Sequence, residues 1–310
     1  MRIVFMGTPA FGVPTLTMLH DQGHTLMVVS QPDKPVGRKK TVTPTPVATC
    51  ALVLGLNLKQ PIKIGDLYEE LKAFEPELLI TAAYGQYVPT KILALPSIDA
   101  INLHASLLPR HRGGAPIQRA ILEGDQETGI SVMRMRKQLD AGEVFHQVRL
   151  PILNTDTSES LFEKLSELAP QALLEAWFMV VDGHEPTPQD DRYATLAPNL
   201  SREEEVLDFH QGADRVDCHI RAFYPNPATY TLFEGKRFKV YQARPLKTHY
   251  EATPGTIVAL TEEGLVVACL EGSLELLDVQ LEGKKRMSAN AFKQGTQTEA
   301  LLGVVLGGSS

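Results

Sequence analysis

The stretch that decides the fold is residues 1–29, MRIVFMGTPAFGVPTLTMLHDQGHTLMVV. An apolar run at 3–6 ends at a glycine, a helical pattern follows over 13–19, and a second apolar run occupies 26–29. Short, continuously apolar runs that alternate with helical patterns are typical of a parallel sheet covered by helices. The stretch therefore predicts an α/β fold.

The same rhythm continues along the first half of the chain. Further apolar runs occur at 78–80 and 101–104, and runs at 130–133 and 144–148 predict later strands near an edge of the sheet. We therefore expect a Rossmann-like open, mostly parallel sheet with helices on both faces. Gly7 and Gly12 do not form a GxGxxG motif, which argues against a nucleotide site at the first turn.

A long helix is predicted to begin near Asp156. Asp156 and Glu159 have the spacing of a capping box, and a stripe of apolar residues follows every three or four positions. Pro170 lies inside this pattern, so we expect it to kink the helix or split it in two.

The composition changes at residues 184–205, HEPTPQDDRYATLAPNLSREEE, which are rich in proline and polar residues. We interpret 185–205 as a surface linker. Short strands at regular spacing after it predict a small OB-like β-barrel. The predicted organisation is a catalytic domain at 1–184, the linker, and a β-barrel domain at 206–310.

Bulk composition limits the class of protein. Three well-separated cysteines among 310 residues argue against a disulfide framework and a structural zinc site, so we expect no metal. No apolar run reaches the roughly 18 residues of a membrane span, so we expect a cytosolic protein with no membrane partner. The net charge of −7 argues against a dedicated nucleic-acid binder, although basic residues cluster locally.

The richest stretch for chemistry is residues 101–121, INLHASLLPRHRGGAPIQRAI. Asn102 and His104 are two apart on a predicted strand, so they share a face near its carboxyl end, where open α/β sheets bind ligands. Asp140, in a Leu-Asp-Ala-Gly sequence, is a candidate to join them. Alternatively, Asn102 and His104 are hydrogen-bonded structural residues, and Asp140 is only a turn residue.

Together, these three side-chain types suit acyl transfer to an amine. The attacking amine must lose a proton, which an imidazole and a carboxylate can carry or direct. The carbonyl oxygen gains negative charge, which an amide N–H can stabilise. A serine or cysteine nucleophile is not needed, because the attacking group belongs to the substrate.

At these positions the sequence resembles the folate-dependent formyltransferases. The resemblance lies in Asn102-x-His104, in the loop Ser106-Leu107-Leu108-Pro109 and in Leu139-Asp140-Ala141-Gly142. Residues 3–16, 31–38, 113–121, 220–225 and 283–288 resemble the members of that family that act on a charged tRNA. The sequence departs from the family at His111, where Trp is usual, at Gly114, where Ala is usual, and after Arg38, where a glycine is missing.

The resemblance implies a donor, an acceptor and a set of site residues. It implies 10-formyltetrahydrofolate as the formyl donor, initiator methionyl-tRNA as the acceptor and a monomeric protein. His104 and Asp140 would handle the proton and Asn102 the oxyanion. The remaining implied contacts are, for folate, Ser106, Leu107, Leu108 and Pro109 and, for tRNA, Arg38, Lys40, Lys284, Lys285 and Arg286.

Other functions remain open at this point. The acceptor could be an amino-sugar nucleotide or another small amine, or the chain could hydrolyse formyltetrahydrofolate without an amine. A non-enzymatic RNA-binding module on a decayed enzyme fold is a further alternative, and the intact set of Asn102, His104 and Asp140 argues against it.

Overall fold

The structure is a computed structural model that describes residues 1–36, 41–295 and 301–307. The chain forms two compact units, and neither is continuous in sequence. The first unit contains Met1–Pro116, Glu127–Pro151 and Leu161–Pro198, and the second contains Ile117–Gln126, Ile152–Ser160 and Asn199–Ser310. The division at 184 and 206 expected from the sequence remains a prediction, and the compact units divide the chain differently.

The elements up to residue 181 are strands and helices that begin with the expected alternation. In chain order they are β1 (Arg2–Gly7), α1 (Val13–Asp21), β2 (Thr25–Val29), β3 (Lys34–Val36), β4 (Thr41–Thr43), α2 (Pro46–Val53), β5 (Asn57–Lys59), α3 (Tyr68–Phe74), β6 (Leu78–Ala82), α4 (Thr90–Leu93), β7 (Asp99–His104), α5 (Pro116–Glu123), β8 (Glu127–Arg134), β9 (Val144–Pro151) and α6 (Ser158–Val181).

Seven of these strands form one sheet, in the order β5-β2-β1-β6-β7-β8-β9. The first five are mutually parallel, whereas β8 is antiparallel to β7, and β9 is antiparallel to β8. Residues 3 to 6 of β1 have no exposed surface, so the strand is covered on both faces. The prediction of a mostly parallel sheet with helices is therefore confirmed.

The direction in which successive strands are added to the sheet reverses between β1 and β6. From β1 the chain goes to β2 on one side, and it returns to place β6 on the other side. In open α/β sheets, ligands bind beside the carboxyl ends of strands at such a reversal. The fold therefore predicts a site near the ends of β1, β6 and the adjacent β7.

Helix α6 differs from the prediction in two details. Thr157, not Asp156, caps it: Thr157 Oγ1 accepts from the Ser160 amide over 3.2 Å, and Ser160 Oγ accepts from the Thr157 amide over 3.1 Å. The expectation that Pro170 could split the helix was wrong, because α6 runs through Pro170 without a break. The buried apolar stripe on both sides of the proline, which includes Leu165 and Leu173, holds the two halves in one helix.

The second unit is built around an antiparallel sheet. Its later elements are α7 (Ala213–Phe223), β10 (Thr229–Phe233), β11 (Lys236–Leu246), β12 (Ile257–Leu260), β13 (Leu265–Ala268), β14 (Ser273–Leu281), β15 (Met287–Ser288) and α8 (Ala289–Gln294). The strands pair in the order β10-β11-β14-β13-β12, with β15 on β14. The antiparallel β unit is confirmed, and its assignment to the OB-like class stays a prediction.

The core of this sheet contains Phe233, Phe238 and Phe292, whose rings contact one another with centroids 5.0 to 5.8 Å apart. Among the described residues, no helix is long and apolar enough to cross a membrane. The same part of the chain contains no group of three or more His, Cys, Asp or Glu residues that could hold a metal ion.

Candidate active site

Asn102 and His104 lie in the last three residues of β7, and the pleat directs them to the same face of the sheet. His104 is buried, whereas Asn102 is half-buried. Thr81, on the neighbouring β6, donates its hydroxyl hydrogen to Asn102 Oδ1 over 2.7 Å. This bond fixes the side-chain amide with its oxygen toward Thr81 and its NH₂ group turned away.

Both imidazole nitrogens of His104 have a polar neighbour. Nε2 donates to the carbonyl oxygen of His111 over 2.9 Å, and Nδ1 lies 3.7 Å from Asp140 Oδ2. Since a carbonyl oxygen only accepts, Nε2 carries a proton, and Nδ1 is the nitrogen that gains or loses one. The carboxylate therefore lies beside the nitrogen that can act as a base.

Asp140 reaches His104 by an indirect route. Because β8 is antiparallel to β7 and its last residue, Arg134, pairs with Ile101, the loop after β8 does not start at the carboxyl end of β7. The loop turns back along the sheet, and the Gly113 amide donates to Asp140 Oδ2 over 2.9 Å. The side chain of Asp140 is only 11% exposed, so its charge is poorly screened by water.

The backbone around Asp140 is tightly constrained. Asp140 has a φ of 49°, in the left-handed region, which Asp enters more readily than most residues. Two residues later, a Cβ at Gly142 would collide with the Arg134 carbonyl. Across the base of the loop, Arg136 donates to Glu143 over 3.0 and 2.9 Å and lowers the pKa of that carboxyl. Asp140 is thus a turn residue whose carboxylate also faces His104.

The loop that the resemblance assigns to folate is held in place by β8. Ser131 Oγ accepts from the Leu108 amide over 3.0 Å and donates to the Ser106 carbonyl over 2.6 Å. Ser106 and Leu108 are buried, so their side chains are enclosed by the protein. Leu107 and Pro109 are half-buried, and they keep surface that a ligand could contact.

The ends of the central strands meet in one hydrogen-bonded group. Thr8, after β1, donates its hydroxyl hydrogen to the Tyr84 carbonyl over 2.8 Å, and Gln31 Nε2 donates to the same oxygen over 3.0 Å. Burial raises the pKa of the Tyr84 phenol to about 12, so this side chain is neutral at ordinary pH. The strand ends at the reversal point of the sheet are therefore joined by hydrogen bonds, and Tyr84 adds no charge there.

The sequence did not indicate several residues that build this site. Thr81, which orients Asn102, and Ser131, which holds the loop, are small polar residues inside apolar strands, a pattern with no specific signal. Gln189 and Thr195 lie in the predicted linker, yet both hydrogen-bond to the site loops. The bonds connect residues far apart in sequence, so periodicity and spacing could not reveal them.

The predicted tRNA contacts fall into three groups. Arg38 and Lys40 lie outside the described residues. Lys284 and Lys285 are exposed in the turn before β15, and neither forms an ion pair with any residue that the structure describes. Arg286 is held instead: its guanidinium donates to Asp278 over 2.9 Å.

Arg286 also lies over two aromatic rings, with its guanidinium carbon 4.2 Å from the Tyr241 ring centroid and 5.4 Å from that of Tyr224. The hydrogen bond from Arg286 to Asp278 raises the pKa of Arg286, which leaves it charged at every accessible pH. This cation therefore supports local packing in the second unit.

A groove of about 1020 Å³ in the second unit is lined by four arginines, which are Arg215, Arg221, Arg244 and Arg286. Each of them has a carboxylate partner, at distances of 2.5 to 3.9 Å. Since paired charges attract a phosphate less than unpaired ones, Lys284 and Lys285 are the stronger candidates for phosphate contacts.

The chain belongs to the formyl transferase family of enzymes. Residues 1–177 match the family described as Formyl transferase, and residues 199–297 match the family described as Formyl transferase, C-terminal domain. The chain is 45% identical over 313 residues to the methionyl-tRNA formyltransferase of Halalkalibacterium halodurans, with 99% of each chain covered.

Two solved structures share the fold at low sequence identity. HypX from Aquifex aeolicus, described in complex with tetrahydrofolic acid, superimposes with a TM-score of 0.64 at 18% identity, covering 94% of this chain and 47% of that one. This chain thus spans about half the length of HypX. The methionyl-tRNA formyltransferase from Clostridium thermocellum gives a TM-score of 0.56 at 14% identity, with 91% and 98% covered. At these identities the likeness concerns the fold.

Proposed function

We propose that the protein transfers the formyl group of 10-formyltetrahydrofolate to the α-amino group of initiator methionyl-tRNA. One observation carries the chemistry: His104 Nδ1 lies 3.7 Å from Asp140 Oδ2, beside Asn102, on the sheet of a formyl transferase. The choice of acceptor is supported by the 45% identity to a methionyl-tRNA formyltransferase over nearly the whole chain.

His104 and Asp140 manage the proton in this proposal. The attacking amine must be neutral, and the nitrogen becomes acidic as its bond to the formyl carbon forms. Nδ1 of His104 accepts that proton while Nε2 keeps its own, held by the His111 carbonyl. The resulting imidazolium is stabilised by the Asp140 carboxylate, whose side chain is largely buried. The proton can then pass to the departing folate nitrogen.

Asn102 stabilises the charge that develops on the formyl oxygen. Thr81 occupies Asn102 Oδ1, so the side-chain NH₂ is the group left to face a ligand. This NH₂ makes no hydrogen bond with the residues that the structure describes. A fixed donor of this kind contributes most in the transition state, because it needs no reorganisation as the charge appears.

The folate contacts proposed here are narrower than those implied by the resemblance. Leu107 and Pro109 provide the accessible side-chain surface, whereas Ser106 and Leu108 shape the loop from inside. For tRNA, Lys284 and Lys285 supply phosphate contacts in the second unit, and Arg38 and Lys40 are proposed on the resemblance alone. The proposal includes a monomeric enzyme acting in the cytosol, where translation starts.

The test is transfer of radiolabelled formyl from 10-formyltetrahydrofolate to charged initiator tRNA, with free methionine and an amino-sugar nucleotide as competing acceptors. We expect formyl-methionyl-tRNA from the wild-type protein and a loss of about 10²–10⁴ in rate for His104→Ala. The exposed His210, which pairs with Asp208, gives a matched control, and His210→Ala should keep the wild-type rate. Label appearing in the sugar, or as free formate without any amine, would contradict the proposal.

A further inference from the structure

Residues 187–197, named here the strap, fold back along the candidate active site. At one end, Thr187 pairs with Val144 at the end of the Asp140 loop, through backbone hydrogen bonds of 2.8 and 2.9 Å. At the other end, the Ala197 amide donates to the Arg112 carbonyl over 2.7 Å. The strap therefore connects the two loops that hold the partners of His104.

Gln189 connects the strap to the Asp140 loop by hydrogen bonds. Its side-chain NH₂ donates to the Asp140 carbonyl over 2.9 Å and to the Gly142 carbonyl over 2.6 Å. Its side-chain oxygen accepts from Arg112 Nε over 3.0 Å. Arg112, which is 7% exposed, also donates to Asp191 over 2.8 Å. A single amide thus holds Asp140 in its left-handed conformation and is itself oriented by a buried arginine.

Thr195 holds the other partner of His104. Its hydroxyl oxygen accepts from the His111 amide over 2.9 Å. The backbone adds a second hydrogen bond, in which the Arg112 amide donates to the Thr195 carbonyl over 2.9 Å. His111 has a φ of 63°, also in the left-handed region, so its carbonyl direction depends on these bonds. That carbonyl is the acceptor for His104 Nε2.

We propose that Gln189 and Thr195 are positioning residues for formyl transfer. Gln189 places the Asp140 carboxylate beside His104 Nδ1, and Thr195 directs the His111 carbonyl that fixes Nε2. Neither residue acts on the substrate. Together they fix the positions of the two groups that face the imidazole nitrogens of His104. This inference rests on the proposed function, because it assigns a task to the same His104 and Asp140.

The first test removes the Gln189 donor contacts in two ways, with and without an acceptor left for Arg112. Gln189→Glu keeps an acceptor for Arg112 and removes both N–H donors, and Gln189→Met removes the donors and the acceptor. We expect kcat to fall about 10- to 100-fold in both, with the KM for folate and for tRNA within about threefold of wild type, because small misplacements of reacting groups have effects of this size. Arg192→Ala is the matched control, since this exposed strap residue contacts Asp190 and the Tyr193 ring within the strap and makes no hydrogen bond to Asp140 or His111 among the described residues.

The second test uses a conservative pair at Thr195. Thr195→Val removes the hydroxyl that accepts from the His111 amide, whereas Thr195→Ser keeps it. We expect Val to lower kcat by about tenfold or more and Ser to restore it to within about threefold of wild type. If kcat stays normal in Gln189→Glu and Thr195→Val, the inference is overturned. A parallel fall in kcat, melting temperature and folate affinity would also overturn it, because it would indicate a merely structural strap.

A spectroscopic measurement separates this inference from the proposed function. Long-range ¹H–¹⁵N NMR spectra identify which imidazole nitrogen carries the proton, without any substrate. We expect His104 to be protonated at Nε2 in the wild-type protein and in Thr195→Ser, and to change its signals in Thr195→Val. If the wild-type protein formylates nothing while these spectra behave as expected, the proposed function fails and the positioning stands. Unchanged His104 signals in Thr195→Val, with active wild-type enzyme, would leave the function and remove the inference.

Discussion

The surroundings of His104 and the turn that contains Lys284 and Lys285 differ in burial and in the contacts of their charged side chains. His104 and Asp140 have side chains that are 6% and 11% exposed. His104 donates to the nearby His111 carbonyl, and Asp140 accepts from the Gly113 amide, which is distant in sequence. The two lysines are exposed and form no ion pair within the described part of the chain. Their side chains are therefore free to move in solvent.

The difference follows from what each region has to do. Proton transfer needs groups fixed within about half an ångström, so the first region is buried and over-determined by hydrogen bonds. Attraction of a polyanion acts over a Debye length of about 8 Å and gains from charges that no partner neutralises. A region that transfers protons is therefore expected to be buried and held by several hydrogen bonds. A region that attracts a polyanion is expected to be exposed and to carry charges without carboxylate partners.

The largest effect that would sharpen this contrast is expected at Asp140. Asp140→Asn keeps an oxygen to accept from the Gly113 amide but removes the charge beside His104. We expect kcat to fall about 10²- to 10⁴-fold, as happens when the carboxylate behind a catalytic imidazole becomes an amide. The melting temperature should change little. A normal kcat would show that Asp140 is only a turn residue.

The second effect concerns affinity alone. Replacing both Lys284 and Lys285 with Ala should weaken tRNA binding and reduce the slope of log K against log salt concentration by about 2, because each neutralised phosphate contributes nearly one unit. kcat at saturating tRNA should stay at the wild-type value. Lys72→Ala, an exposed lysine of the first unit, is the control. An unchanged salt slope in the double variant would remove the lysines from the tRNA surface.

A smaller effect is expected at Arg286, which is adjacent in sequence to the lysines but fixed by Asp278 and two tyrosine rings. Arg286→Met should lower the stability of the second unit by about 1–2 kcal/mol, the combined size of two partly exposed cation–π contacts and one partly exposed ion pair. Thermal unfolding measures this change, and the salt slope for tRNA should fall by less than in the lysine variant. The reverse order would show that Arg286 binds phosphate directly.

The sequence predicts some parts of this structure and not others. The apolar runs predict β1, β2, β6 and β7 correctly, because buried parallel strands are apolar on both faces, as residues 3 to 6 show. The fifth parallel strand, β5, has the sequence Asn-Leu-Lys and gives no such signal. The shared face of Asn102 and His104 follows from the pleat. The return of the Asp140 loop could not be predicted, since it depends on β8 running antiparallel and on a long-range bond to Gly113.

The contacts of the strap and the cap of α6 could not be predicted for a related reason. Proline and polar residues at 185–205 are typical of a linker, and nothing local distinguishes Gln189 or Thr195 from solvent-facing neighbours. Asp156 has the right chemistry for a cap, but Thr157 and Ser160 take that position. Composition indicates which residue types suit a loop, whereas tertiary contacts decide which member of the loop is used.

The smallest predicted effect concerns a buried imidazole in the second unit. Burial lowers the pKa of His219, whose Nε2 donates to the Glu204 carbonyl over 2.6 Å. Because its folded-state pKa lies below the unfolded value of about 6.5, its contribution to stability is present above that pH and is lost as the pH falls. Urea unfolding between pH 7.5 and 5.5 should show a loss of at most about 1.4 kcal/mol per pH unit from this group.

His219→Gln should flatten that dependence, while the exposed His210→Ala should leave it unchanged. An equally steep loss of stability in His219→Gln would assign the pH dependence to other groups. The contrast between the two regions would then involve only the surface charges of the second unit, and not the buried His219.

The interleaving of the two units has a practical consequence for anyone who wishes to exchange parts between relatives. Residues 117–126 and 152–160 belong to the compact body of the second unit, and within it Arg119 donates to Glu204 over 2.5 and 3.0 Å. A chimaera joined by one cut near residue 198 would separate this arginine from its matched carboxylate. A faithful transplant has to move three stretches of chain together.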